Sequence, residues 1–98
     1  MPNKQGRAML YCDLKTGKVA VKPMGLPALD NQHQYQLWAL IDGKPVDMGM
    51  IPNDMIGKDQ LAMLKSVQGA QAFAITREPF GGKAEPTIEE MIVMAKVG

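Results

Sequence analysis

One cysteine, one histidine, one tryptophan, two tyrosines and two phenylalanines are all that 98 residues contain of those types. Each scarcity excludes a class of chemistry. Cys12 alone cannot form an internal disulfide or supply a zinc ribbon or finger. The lone His33 sits in the polar stretch Asp30-Asn31-Gln32-His33-Gln34, and protein metal sites usually draw on at least three ligands, so it reads as a surface-loop histidine. So few aromatic rings cannot form an exposed ladder for stacking bases or sugars. Apolar runs such as residues 37–41 reach five residues, against the ~20 that span a bilayer. No charged start followed by an apolar core opens the chain, so no signal peptide is read there. A net charge of +1 is no footprint for strong nucleic-acid binding.

What is present is ordinary for a small globular domain. With 46% hydrophobic and 21% charged residues the chain is not a disordered tail. A chain of this length buries roughly two thirds of its unfolded surface, enough for a modest core without staples. The charge is uneven: residues 1–22 carry Lys4, Arg7, Lys15, Lys18 and Lys22 against Asp13, a balance of +4 that leaves −3 for the rest. Such a skew fits a solvated strand face with a basic lead-in.

Gly and Pro punctuate the chain at short intervals, with runs of strand length between them. In residues 7–13, Ala8, Leu10 and Cys12 fall on one face and Arg7, Met9 and Tyr11 on the other. Residues 18–24 place Val19 and Val21 on one side and turn Lys22 away; a short loop with Gly17 joins the two runs as a hairpin. Residues 35–41 are apolar on both faces, as in a central strand covered on two sides, with Trp38 as core. Residues 46–51, 60–65 and 72–78 supply three more runs, the last with Phe73 and Ile75 inward. Pro23, Pro27 and Pro45 fall at strand ends. The C-terminal run reads two ways. Thr87-Ile88-Glu89-Glu90 fits a capping box ahead of a helical stripe, yet Met91, Val93, Ala95 and Val97 alternate. The expectation is an all-β protein, an antiparallel sandwich (Ig-like or an open barrel) of about seven short strands, with residues 1–6 a lead-in and 7–98 a single domain.

Candidate chemistry is sparse. The Gly-Lys dipeptides at 17–18, 43–44, 57–58 and 82–83 lack the earlier Gly of a phosphate loop and read as turns followed by solvated lysines. Cys12, mid-strand on an apolar face, reads as a small hydrophobe. Nine Met residues are dispersed and mostly fill core, a minority serving an adaptable surface. Most acids lie in turns; Glu78 beside Pro79 is the one with a claim to burial. Segment 78–86, Gly-rich and Pro-bounded, is either a mobile contact loop or a plain crossover between strands.

Two motifs in order carry a resemblance. Tyr35-Gln36-Leu37-Trp38 precedes a segment with Phe73 and then Glu78-Pro79-Phe80-Gly81-Gly82, and Pro86-Thr87 follow. With Gly6-Arg7-Ala8-Met9-Leu10-Tyr11, Lys15-Thr16-Gly17-Lys18-Val19 and Gly25-Leu26-Pro27, the pattern resembles the C-terminal, extracytoplasmic domain of the anti-sigma-K factor family over nearly the whole chain. Cys12 stands where an aromatic is common in that family. The resemblance implies a β-sandwich whose C-terminal run is a final strand, and full-length proteins that are single-pass membrane regulators. In such a plan a zinc-binding cytoplasmic region, not found in this sequence, holds the sigma factor. The outer domain would sit on the periplasmic or extracellular face of a bacterial cytoplasmic membrane and gate successive proteolytic cuts.

The resemblance implies no catalytic residues, no cofactor and no metal. Tyr35, Gln36, Leu37, Trp38, Phe73, Glu78, Pro79, Gly81, Gly82, Pro86 and Thr87 are family-motif positions expected to serve structure. Expected partners are a periplasmic protein or protease, with the sigma factor reached only through the cytoplasmic region and nucleic acid not at all. The alternative is a generic secreted or periplasmic sandwich that binds carbohydrate or protein.

Overall fold

Residues 6–96 are described by a computed structural model with seven strands in two antiparallel sheets and two short 3-10 turns. The small sheet has the order β1 (Arg7–Cys12), β2 (Val19–Gly25), β5 (Ala62–Met63). The large sheet has the order β4 (Lys44–Ile51), β3 (His33–Ile41), β6 (Ala72–Pro79), β7 (Met91–Lys96). Lys4 of the lead-in and Val97 of the C-terminal alternation lie outside the described residues.

The two tight hairpins form where turn chemistry places them. Asp13 closes the β1–β2 loop by accepting Lys15 N and Thr16 N on Oδ1, while its backbone pairs with Lys18 and Gly17. Those backbone donors, Lys15 first, hold its carboxyl below the usual value. Asp42 and Gly43 join β3 to β4 with φ of 52° and 77°, the two left-handed residues of a type I′ turn. Between the sheets, Val19, Val21 and Leu26 meet Tyr35, Leu37, Ala39, Met48, Ile51, Phe73 and Ile75 in one buried cluster. Ala8, Leu10 and Cys12 pack against it from β1, as their alternation predicts. Burying such side chains is the main favourable term in a fold of this size.

Four expectations need correction. The run 60–65 is a strand only at Ala62–Met63, because it passes from one sheet to the other: Leu64 N donates to Val19 O of β2 and Lys65 N to Met48 O of β4. No capping box forms at Thr87. The C-terminal run is a 3-10 turn, Ile88–Glu90, leading into the strand that the resemblance implies, and the Thr87 side chain makes no cap bond. Pro23 lies inside β2 and is buried, next to a register shift in the β1–β2 ladder and beyond the residues that β5 pairs. His33 opens β3 rather than sitting in a loop, half-buried, its Nδ1 2.7 Å from Asp30 Oδ1. That hydrogen bond, with the backbone N–H of Gln32, depresses the Asp30 carboxyl.

Candidate functional site

β3 is covered on both faces, by different partners. Tyr35, Leu37 and Ala39 enter the space between the sheets, and the Tyr35 hydroxyl donates to Pro27 O at 2.9 Å. Gln36 and Trp38 alternate with them, so they point to the outer face of the large sheet, as do Ala74, Thr76 and Glu78 on the neighbouring β6. An outer face is ordinarily wet. Here Gln36, Trp38, Thr76 and Glu78 are all at most 1% exposed.

Residues 80–90 account for this: after β6 the chain turns back over the outer face as a strap. Gln36 grips it with both ends of its amide, Oε1 accepting Lys83 N at 3.0 Å and Nε2 donating to Lys83 O at 3.1 Å. Asp47 Oδ1 orients that amide by accepting Nε2 at 2.8 Å. Gln34 Oε1 accepts Gly81 N, and Gln32 O accepts Phe80 N. Gly81 and Gly82 have φ of 94° and 84°. A Cβ on Gly82 would lie 2.7 Å from Met50 Sδ and 2.9 Å from Gln36 Oε1, so glycine at 82 is what lets the strap lie against the amide.

The far end is held by Glu78. Its Oε1 accepts the Thr87 hydroxyl at 2.7 Å, and its Oε2 accepts Thr87 N at 2.8 Å and the Thr76 hydroxyl at 2.6 Å. Thr76 Oγ1 in turn accepts the indole N–H of Trp38 at 2.8 Å. The three buried polar side chains of the described residues, Gln36, Thr76 and Glu78, are thus all in this one cluster, and each is satisfied. A buried acid would be costly without such donors.

The motif positions therefore divide by face. Tyr35, Leu37 and Phe73 belong to the interior cluster. Gln36, Trp38, Glu78, Gly81, Gly82 and Thr87 build the clamp, with Pro79 and Pro86 within or beside the strap. Residues 78–86 are neither a loose loop nor a plain crossover. Thr76, Gln34 and Asp47 were missed by the sequence reading. Thr76 and Glu78 share a strand face two residues apart, the legible signal; Asp47 meets Gln36 only through a register shift between Leu37 and Trp38.

The same strap, anchored by the same motif residues, is spanned by a family model described as anti-sigma-K factor rskA, C-terminal, which matches residues 1–91. The chain belongs to the anti-sigma-K factor family. No curated protein and no solved structure gives a match. Membership assigns the domain an anti-sigma regulatory role, and a family of this kind acts on a sigma factor and is regulatory rather than catalytic. In the anti-sigma-K domain the Glu78 oxygens are taken up by its own strap, which makes the carboxylate a fastener. Among the described residues no group of three or more His, Cys, Asp or Glu side chains could hold a metal ion.

Proposed function

We propose that this chain is a non-enzymatic, extracytoplasmic domain of a membrane-anchored anti-sigma factor, and that it gates the proteolysis that frees the sigma factor. The observation that carries the reading is the clamped strap in a chain that matches the family's C-terminal region. A segment fastened by a few buried hydrogen bonds has two definable positions, docked and released, and a signal can act by shifting the balance between them. Release uncovers Trp38 and the outer face of the large sheet, changing what a protease or periplasmic protein meets. One domain, 7–98, then carries the sensing and the lead-in runs toward the membrane. The sigma factor is held elsewhere in the full-length protein.

The test is a sigma-dependent reporter in cells that carry the membrane-anchored protein, with Gln36→Ala and Glu78→Ala compared with deletion of residues 7–98. Gating by the strap predicts raised basal reporter output in both point variants, approaching that of the deletion. Unchanged output from folded point variants, beside a clear effect of the deletion, would remove the strap from the mechanism. Protease added outside spheroplasts checks the location: degradation of the domain in unlysed spheroplasts is expected, and degradation only after lysis would overturn the extracytoplasmic placement.

A further inference from the structure

Among the described residues each sheet ends in an edge strand with no partner on its outer side, and the two edges adjoin: β1 ends the small sheet and β7 ends the large one. A cleft of about 640 Å³ opens between them, walled by Arg7 and Met9 of β1, Met24 of β2 and Ile92, Val93 and Met94 of β7. Both ladders beside it are irregular at this place. The β1–β2 register shifts between Arg7 and Met9, and the β6–β7 register shifts between Ile75 and Thr76, opposite Ile92. Bulges re-aim side chains and end pairing, and they collect beside binding sites. Gly6 brings the walls close, since a Cβ there would lie 2.7 Å from Ile92 Cγ2, while Gly25 lets β2 pass tightly against β1, where a Cβ would lie 2.6 Å from Arg7 O.

The chemistry of the walls specifies the occupant. Met9, Met24 and Met94 are 49%, 49% and 51% exposed, and pliable thioether side chains adapt to varied apolar partners. Arg7 is the one charged residue on the walls among the described residues, and it has no ionic partner among them. No acid lines the cleft. Arg7 and Met9 share one face of β1, so unpaired strand edges, a methionine surface and an unmatched cation suit an extended peptide that carries both apolar residues and carboxylates along a single face. A second copy of this chain docking by the same cleft would bring its own Arg7 against this one, like charge on like.

We propose that the β1–β7 cleft takes up an extended acidic strand from a partner protein, which adds to β7, lays alternate apolar side chains on Met9, Met24 and Met94, and sets a carboxylate of that same face against Arg7. This surface is separate from the strap, and the proposal stands whether or not the strap gates proteolysis.

The probe is the peptide acetyl-Ser-Val-Thr-Val-Ser-Glu-Thr-Asp-amide, which carries its valines and acids on one face, titrated into protein labelled with ¹³C at the methionine methyls and ¹⁵N at the amides. Saturable movement of the Met9, Met24 and Met94 methyls, with slowed exchange of β7 amides and no movement of Met63, is expected. Arg7→Glu should weaken binding about tenfold, and a peptide with Lys for each acid should bind worse still. Arg7 and Met94 are exposed, so Arg7→Glu and Met94→Lys fold, and thermal unfolding confirms that before titration. No saturable shift at ~1 mM peptide, shifts mapping to Met63, or equal affinity of Arg7→Glu would overturn the proposal. Movement of the same three methyls on concentrating the protein alone would also overturn it, in favour of a second copy as the occupant.

Discussion

On the large sheet the outward face is sealed by the chain itself, the strap burying Gln36, Trp38, Thr76 and Glu78, whereas the outward face of the small sheet leaves Met9, Tyr11, Met24 and Met63 in the open. The first solution buys a second, minor core at the expense of burying an acid and an amide, which then demand every hydrogen bond they make. The second needs no such network: its one ion pair among the described residues, Lys22 Nζ to Asp59 Oδ1 at 3.0 Å, is exposed on the Asp59 side and of little weight for stability. Stability should therefore respond sharply to change on one face and weakly on the other, and an exposed face free of structural duty is free for contacts.

The largest effect belongs under the strap. Trp38→Ala removes a fully buried ring and takes the indole donor from the Thr76 oxygen, and should cost ~3–5 kcal/mol in chemical denaturation. A loss under ~1 kcal/mol would mean that the strap seals nothing. Next comes Glu78→Ala, which leaves the Thr76 hydroxyl and both Thr87 donors without their acceptor. It should cost roughly 2–3 kcal/mol and raise amide exchange in residues 80–90 before the rest of the fold. Uniform exchange across both sheets would count against a separately fastened strap.

Tyr35 lies between the sheets and gives a smaller effect that depends on pH. Burial raises its phenol above the ordinary 10.0, because the charged form is poorly solvated there. The fold thus favours the neutral phenol. Its contribution is full below the unfolded value of about 10 and is lost as pH rises through the higher folded value. Stability of the wild type should fall more steeply than that of Tyr35→Phe above that pH, and parallel curves would refute the assignment. The smallest effect is on the open face: Met63→Lys, at a side chain 65% exposed, should move stability by no more than ~0.5 kcal/mol. A larger loss there would erase the contrast between the two sheets.

Periodicity made the interior legible from residues alone. Ala8, Leu10 and Cys12 alternate inward, residues 35–41 read as doubly covered, and Phe73 and Ile75 face the core because side-chain direction has period two in any strand. The hairpin at Gly17 was legible because few residues tolerate its φ of 77°. The clamp was only half visible. Its parts could be quoted as motif, yet nothing local says that Gln36 holds Lys83, a pairing made when the chain turns back. Glu78 could be suspected of burial, while its donors came from Thr76 beside it and Thr87 beyond the turn. Thr87 misled for the same reason: a residue that caps helices by habit had its hydroxyl committed to a distant acid. Register shifts hid Asp47 and the wall of the β1–β7 cleft, since an extra residue in one strand cannot be counted without its partner.

The amide grip on Lys83 spans 47 positions along the chain, while the β3–β4 hairpin beside it closes across a two-residue turn. Contacts so different in separation form at different times, because closing a long loop must be endured before its bonds repay it. The hairpins should zip early and the strap should dock late. During synthesis the indole of Trp38 then waits uncovered until Thr87 has emerged, so translation of residues 80–90 decides when this domain first conceals its outer tryptophan.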